Sequence, residues 1–241
     1  DDGWELYDTR HDFSLTNNLA GKYPERLEAM KELFMQQSIE NQVLPLDDRL
    51  LERLLPEVAG RPTMMGERTR LELFPGTIGL VEDAILNVKN TSSTITSVIR
   101  VPDKKPVNGI IFAQGGRFGG WALYVEDSKP AFAYNYVGDV FELKSDRPLP
   151  AGESTIACNV DYDGGGKGKG ATVRLMVNDQ VVAEGKLAAT VASRFAVDEG
   201  SDVGMDRGSP VLKRAIGTSR DDAFDGKLER VILEVQPEKD P

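Results

Sequence analysis

The stretch Gly109–Tyr136, GIIFAQGGRFGGWALYVEDSKPAFAYNY, decides the fold. It reads as three strands, Gly109–Gln114, Trp121–Glu126 and Lys129–Tyr136. Gly115, Gly116, Gly119 and Gly120 form the first connection and Asp127-Ser128 the second. A two-residue loop at Asp127-Ser128 sets Leu123 opposite Phe132 and Trp121 opposite Tyr134. Alternation then collects Trp121, Leu123, Val125, Phe132 and Tyr134 on one face. Ala122, Tyr124, Ala131 and Ala133 fall on the other. An aromatic face with a small-residue back is what one sheet of a two-layer sandwich requires.

Outward from this stretch the pattern repeats. Short strands broken by Gly, Pro, Asn and Asp begin near Leu71. Thr94–Val101 places Ile95, Ile99 and Val101 on one face, and Ser154–Tyr162 does the same with Ile156, Cys158, Val160 and Tyr162. Ala171–Val177 and Gln180–Lys186 make a hairpin about Asn178-Asp179. Asp202–Met205 is a short strand, and Lys227–Val235 is a long one carrying Val231, Leu233 and Val235. Some ten to twelve strands predict a mainly β, jelly-roll-like sandwich over residues 76–241. Residues 50–75, with Pro56, Pro62 and Pro75 and a helical patch at Leu50–Leu55, read as a connector. Residues 1–49 differ: a strand at Trp4–Tyr7, then a helix opening at Pro24 and ending near Asn41. Leu27, Met30, Leu33, Phe34 and Ile39 recur at helical spacing along that helix, and a single strand with a single helix cannot form a core alone to cover the stripe. Self-association through this helix, or an ordered dock, is expected.

Composition removes several functions. The formal charge of −10, with no Lys/Arg cluster, argues against nucleic acid, whose binding needs phosphate neutralisation. No apolar run approaches a membrane span, so no membrane partner is expected. No basic leader precedes an apolar segment at Asp1-Asp2-Gly3, which reads as the interior of a longer protein. One Cys excludes an internal disulfide and a Cys-based zinc site. The lone His11, in the polar stretch TRHDFS, reads as a surface imidazole. Asp163–Gly170, DGGGKGKG, lacks the Ser/Thr and the following helix of a phosphate loop, and reads as a hairpin loop. Asn159, Asp161, Asp163 and Gly164 match half an EF-hand without its position-twelve Glu; Asp161, Asp163 or the acids of 198–206 could still meet a lone Ca²⁺. Asn90-Thr91-Ser92 fits a glycosylation sequon.

Two blocks carry a family resemblance. Trp4-Glu5-Leu6-Tyr7-Asp8, Asn17-Asn18-Leu19-Ala20, Lys22-Tyr23-Pro24-Glu25 and Leu44-Pro45-Leu46-Asp47-Asp48-Arg49 resemble the late segment of large bacterial arylsulfatases. Gly116-x-x-Gly119-Gly120-Trp121, Tyr134-Asn135-Tyr136, Asp161–Gly166 and Asp202–Asp206 resemble their laminin-G or concanavalin-type C-terminal extension. The resemblance implies that residues 1–49 complete a sulfatase catalytic domain, that the sandwich supports it, and that the missing catalytic domain is a partner. It implies a soluble bacterial protein, cytoplasmic, periplasmic or secreted. The formylglycine motif, Cys/Ser-x-Pro/Ala-x-Arg, is absent: Asn159-Val160-Asp161-Tyr162 follows Cys158. The family's Ca²⁺ ligands lie upstream, so no catalytic or metal residue and no cofactor is expected in this chain, and no turnover from it alone. The alternative is a carbohydrate-binding module for a sulfated glycan, with Arg117, Phe118, Tyr136 and the Asp198–Asp206 loop lining its surface.

Overall fold

The computed structural model describes residues 3–46, 48, 49, 60, 63–103, 105–217 and 219–236. The chain divides into two compact units, Asp1–Leu50 and Leu51–Pro241. The Leu50–Leu55 patch lies outside the described residues, as do Pro56 and Pro62.

The first unit is built on one helix, α1 (Pro24–Glu40), with Pro24 in its first turn. Its end is a Schellman closure: Val43 N–H donates to Ser38 O at 2.8 Å and Gln42 N–H to Ile39 O at 3.2 Å. Gln42 takes the left-handed position there, at φ 55°. Asn41, the residue at the helix boundary, adds an Nδ2 donor to Gln37 O. The strand expected at Trp4–Tyr7 does not form. Its neighbour, Asn17–Leu19, supplies only Leu19 N–H to Leu6 O at 2.7 Å and the Asn18 side chain to Leu6 N–H, too little for a ladder. Met30, Leu33 and Ile39 are exposed, while the Trp4 and Phe34 rings meet edge to face at 5.5 Å.

The second unit is a two-sheet antiparallel sandwich of jelly-roll type. One sheet has six strands in the order β1 (Arg70–Leu73), β11 (Lys227–Val235), β2 (Ser93–Val101), β7 (Gly152–Tyr162), β8 (Ala171–Val177), β9 (Gln180–Leu187). The other has β10 (Ser201–Val203), β3 (Gly109–Gly116), β4 (Gly119–Glu126), β5 (Lys129–Tyr136) and β6 (Asp139–Lys144). The expected register holds, with Leu123 opposite Phe132 and Trp121 opposite Tyr134. Asp127 and Ser128 both take positive φ, as a type I′ hairpin needs.

Three expectations shift. The four glycines flanking Arg117-Phe118 belong to β3 and β4, so the hairpin loop shrinks to those two residues. Without side chains the glycines let other loops press onto the ladder, so pairing runs on. The strand expected at Asp202–Met205 is Ser201–Val203, because Gly204 turns the chain away at φ 87°. A further strand, β6, pairs with β5 through a Val137-Gly138 turn.

Between the sheets lie Ile95, Ile99, Phe112, Trp121, Leu123, Phe132, Ile156, Cys158, Val173, Leu175, Val231 and Leu233. Burial raises the Cys158 thiol far above its ordinary value, so it is an inert core residue and no nucleophile. The small-residue back of the β3–β5 stretch also finds its cover. Ala113, Ala122, Ala131, Ala133 and Tyr124 form a second core with Val211, Leu212 and Ile216. Arg214 fastens that cover by donating to Glu126 at 2.5 Å and Glu142 at 2.8 Å.

Candidate functional site

The β3–β4 tip is held from both sides. Arg117 N–H donates to Ser209 O at 3.1 Å. Arg117 O accepts from Asn135 Nδ2 at 2.9 Å. The fully buried Asn135 also donates to Val211 O and accepts from Gly138 N–H, so every polar group of its amide is spent on fixing loops. A Cβ on Gly119 would lie 2.6 Å from Phe195 O, so only glycine lets the neighbouring loop approach this closely. On this fixed backbone Phe118 is 72% exposed. Arg117 is exposed too, and its guanidinium has no ion-pair or hydrogen-bond partner among the described residues.

The loop crossing the tip, residues 190–200, is pinned as firmly. Val191 N–H donates to the buried Tyr134 hydroxyl at 2.8 Å and Asn90 Nδ2 to Ala192 O at 2.7 Å. Phe195 N–H donates to Glu82 Oε2 at 3.0 Å, while Lys89 Nζ donates to Glu82 Oε1 at 2.5 Å. Glu82 and Lys89 are both buried, and the Lys89 ammonium lies 5.2 Å from the Phe195 ring centre. A buried pair of this kind recovers its desolvation cost only when its remaining lone pairs are used, and the Phe195 N–H uses one. Arg194 completes the set, 3.7 Å from Asp83.

Two clefts flank this loop. One, of about 240 Å³, is lined by Arg117, Phe118, Arg194, Val197, Asp198 and Glu199 among others. The second, of about 350 Å³, shares Arg194, Val197, Asp198 and Glu199 and reaches Val81 and Arg207. Most of the carboxylates here are committed. Asp202 accepts from Gly79 N–H at 2.6 Å and from Arg207, and Glu199 accepts from Ser209 N–H at 2.7 Å. Asp206 is buried beneath them and accepts from Val211 N–H. Burial pushes its carboxyl up to about 7, helped by the charges of Asp202, Glu199 and Asp222 and opposed by the Val211 hydrogen bond.

Of the residues singled out in the sequence, Arg117, Phe118 and the start of the Asp198–Asp206 loop come together. Tyr136 does not line either cleft. It lies at the end of β5 opposite Gly119, 40% exposed, on the face that Phe132 and Tyr134 share. Asp161 and Asp163 are held by Arg174 and Lys186. Among the described residues no group of three or more His, Cys, Asp or Glu is arranged to hold a metal ion. His11 is on the surface beside Asp8. The sequon residue Asn90 spends its amide on Ala192 O and Gly168 N–H. Arg194, Val197 and Glu82 were not foreseen. Arg194 and Val197 belong to a loop with no periodicity and Glu82 to a three-residue 3-10 turn, and only the crossing of 190–200 over the hairpin tip gives them a common place.

No protein-family model matches the chain, and no curated protein does. Among solved structures, the CBM40 domain of the Ruminococcus gnavus IT-sialidase is 14% identical over 69% of this chain and 90% of its own, with a TM-score of 0.43. The leech intramolecular trans-sialidase is 14% identical over 72% of this chain and 26% of its own, at 0.44. Mouse laminin α1 domains LG4-5 are 14% identical over 70% and 39%, at 0.40. These likenesses are distant, and the sandwich assignment rests on this chain's own strand pairing. No helix among the described residues is long and apolar enough to cross a membrane.

Proposed function

We propose that the sandwich is a non-catalytic glycan-binding module, with an anionic sugar, sulfated or carboxylated, held at the Arg117-Phe118 tip. One observation carries this reading. The backbone at 116–119 is clamped by buried groups, yet it presents an exposed aromatic ring beside an unpartnered guanidinium. A fixed ring offers a plane to the apolar C–H face of a pyranose at little entropic cost. A free guanidinium offers forked donors to a sulfate or carboxylate. The experiment is an array of sulfated, uronate and neutral polysaccharides probed with the wild type and with Arg117→Ala, Phe118→Ala and Tyr136→Ala. Binding of anionic chains is expected, lost in the first two variants and kept in the third. Binding untouched by Arg117→Ala and Phe118→Ala would move the site elsewhere and end this reading.

A second reading, that residues 1–49 complete an arylsulfatase-type catalytic domain, is favoured by the exposed Met30, Leu33 and Ile39 of α1, which suit a helix covered by further protein. It requires that this chain alone, supplied with metal, hydrolyse no aryl sulfate. Turnover would refute it.

A further inference from the structure

We propose that the glycine-rich loop 163–170 is a second anionic site, which takes a sulfate ester of the same polysaccharide whose ring lies on the Arg117-Phe118 tip. This rests on the glycan reading above and names the anion as sulfate. The loop is fixed, not slack. Asp163 N–H donates to Gly170 O at 3.0 Å, and Gly168 N–H donates to Asn90 Oδ1 at 2.8 Å. Thr190 Oγ1 donates to Lys169 O at 2.8 Å. The Tyr162 hydroxyl staples the middle, donating to Gly166 O and accepting from Lys169 N–H at 2.9 Å. Between these ties Gly164, Gly165 and Gly166 take φ of 75°, 75° and 109°. Close packing does not require glycine there, since a Cβ on Gly164 or Gly165 would meet nothing within 4 Å. The glycines leave a bare, exposed turn, and the N–H groups of 164–167 have no acceptor among the described residues. A held turn with successive free N–H groups is an arrangement that binds anions.

The charges agree. Lys167 and Lys169 are exposed, and neither ammonium has an ion-pair or hydrogen-bond partner among the described residues. The carboxylates beside them are already paired, Asp163 with Lys186 and Asp161 with Arg174, which also holds Glu184. A sulfate ester has three terminal oxygens, enough to accept from both ammoniums and from the N–H groups of the turn, where a carboxylate has two. The 190–200 loop joins this site to the tip. Thr190 meets Gly168 and Lys169, and Phe195 O packs on Gly119. From Thr190 to Phe195 the chain spans at most about 18 Å, so one oligosaccharide of several rings reaches both sites.

The test is a titration of the ¹⁵N-labelled full chain with three ligands: a chondroitin sulfate hexasaccharide, an oligoguluronate hexasaccharide, which carries carboxylate without sulfate, and inorganic sulfate. The chondroitin chain should move amide signals at 116–119 and at 164–169 together. The oligoguluronate should move 116–119 alone. Inorganic sulfate should move 164–169 only at about a hundredfold higher concentration or more, because it lacks the second contact. Lys167→Ala with Lys169→Ala should weaken the chondroitin hexasaccharide about tenfold and leave the oligoguluronate unchanged. Arg100→Ala with Lys227→Ala removes the same charge where β2 and β11 pair at their far ends, and should alter neither. The loop site is overturned if chondroitin sulfate leaves 164–169 unmoved or binds the double lysine variant as tightly as wild type. An equal shift there from oligoguluronate, saturation by inorganic sulfate at the same concentration, or an equal loss in the Arg100 and Lys227 variant overturns it too. In each of these events shifts at 116–119 would still uphold the tip. Shifts confined to 164–169 would instead end the tip reading and leave the sulfate at the loop. Silence at both places with every ligand overturns both.

Discussion

Asp206 shows how much one buried carboxyl can govern. Its ordinary value of 3.8 rises to about 7 in the fold, chiefly through loss of water. The native state therefore holds this proton more tightly than the unfolded chain does. Between those two pH values the native form binds more protons, so stability falls as pH rises through the window and levels off above it. Asp206→Asn removes the titration and keeps an oxygen for Val211 N–H. The melting temperature of the variant relative to wild type should climb from pH 4 to pH 7 and stay flat beyond; a constant difference would show that Asp206 is not buried as described. Nothing in the sequence marks Asp206 among its acidic neighbours, because its burial comes from chain segments folded over it. Trp121 and Tyr134 were legible as core, since alternation within a strand fixes their face. Phe118 was legible as a surface candidate because it falls in a turn, but Arg194 was not, its role arising only where two loops cross.

At the scale of elements, turns were easier to read where side chains declare the backbone. Asn178-Asp179 and Asp127-Ser128 announce two-residue hairpins, and all four residues take positive φ. The four glycines around Arg117 misled: they indicate absence of side chains, and here that absence serves close packing inside strands, as Phe195 O against Gly119 shows. β6 was missed because Val137-Gly138 is a weak turn signal and its edge position leaves Val140 and Glu142 exposed or half-exposed. Turn chemistry can be tested in the β8–β9 hairpin. Asn178 is useful, accepting from Thr155 N–H at 2.9 Å. Asp179, exposed at φ 63°, pays for its left-handed backbone without a hydrogen bond in return. Asp179→Gly should stabilise the fold by about 0.5–1 kcal/mol, less the entropy glycine adds to the unfolded chain. A higher denaturant midpoint at unchanged m-value is the expected result. A lower midpoint would mean that the unfolded-state term outweighs the strain.

At the scale of the whole molecule the two units differ in how much they bury. The sandwich has two cores, one between its sheets and one beneath Val211, Leu212 and Ile216. The Asp1–Leu50 unit buries Leu6 and Ser38 among its described residues, too little for an independent core. Its helix has no side-chain cap at its start and is held by the closure at its C-terminal end and by the Trp4–Phe34 contact, the latter worth of the order of a kilocalorie. Unfolding should therefore come in two steps, the small unit opening first at low cost. Hydrogen exchange should run fast across Pro24–Glu40 and slowest across Gly109–Tyr136. The exposed stripe adds a concentration dependence: as the protein is concentrated, light scattering should report a mass above 26.4 kDa, with exchange over α1 slowing in step. Leu33→Lys with Ile39→Lys should restore the monomer and the fast exchange without moving the melting of the sandwich. A monomer at every concentration, with α1 exchanging fast throughout, would show that the stripe associates with nothing in this chain's own company.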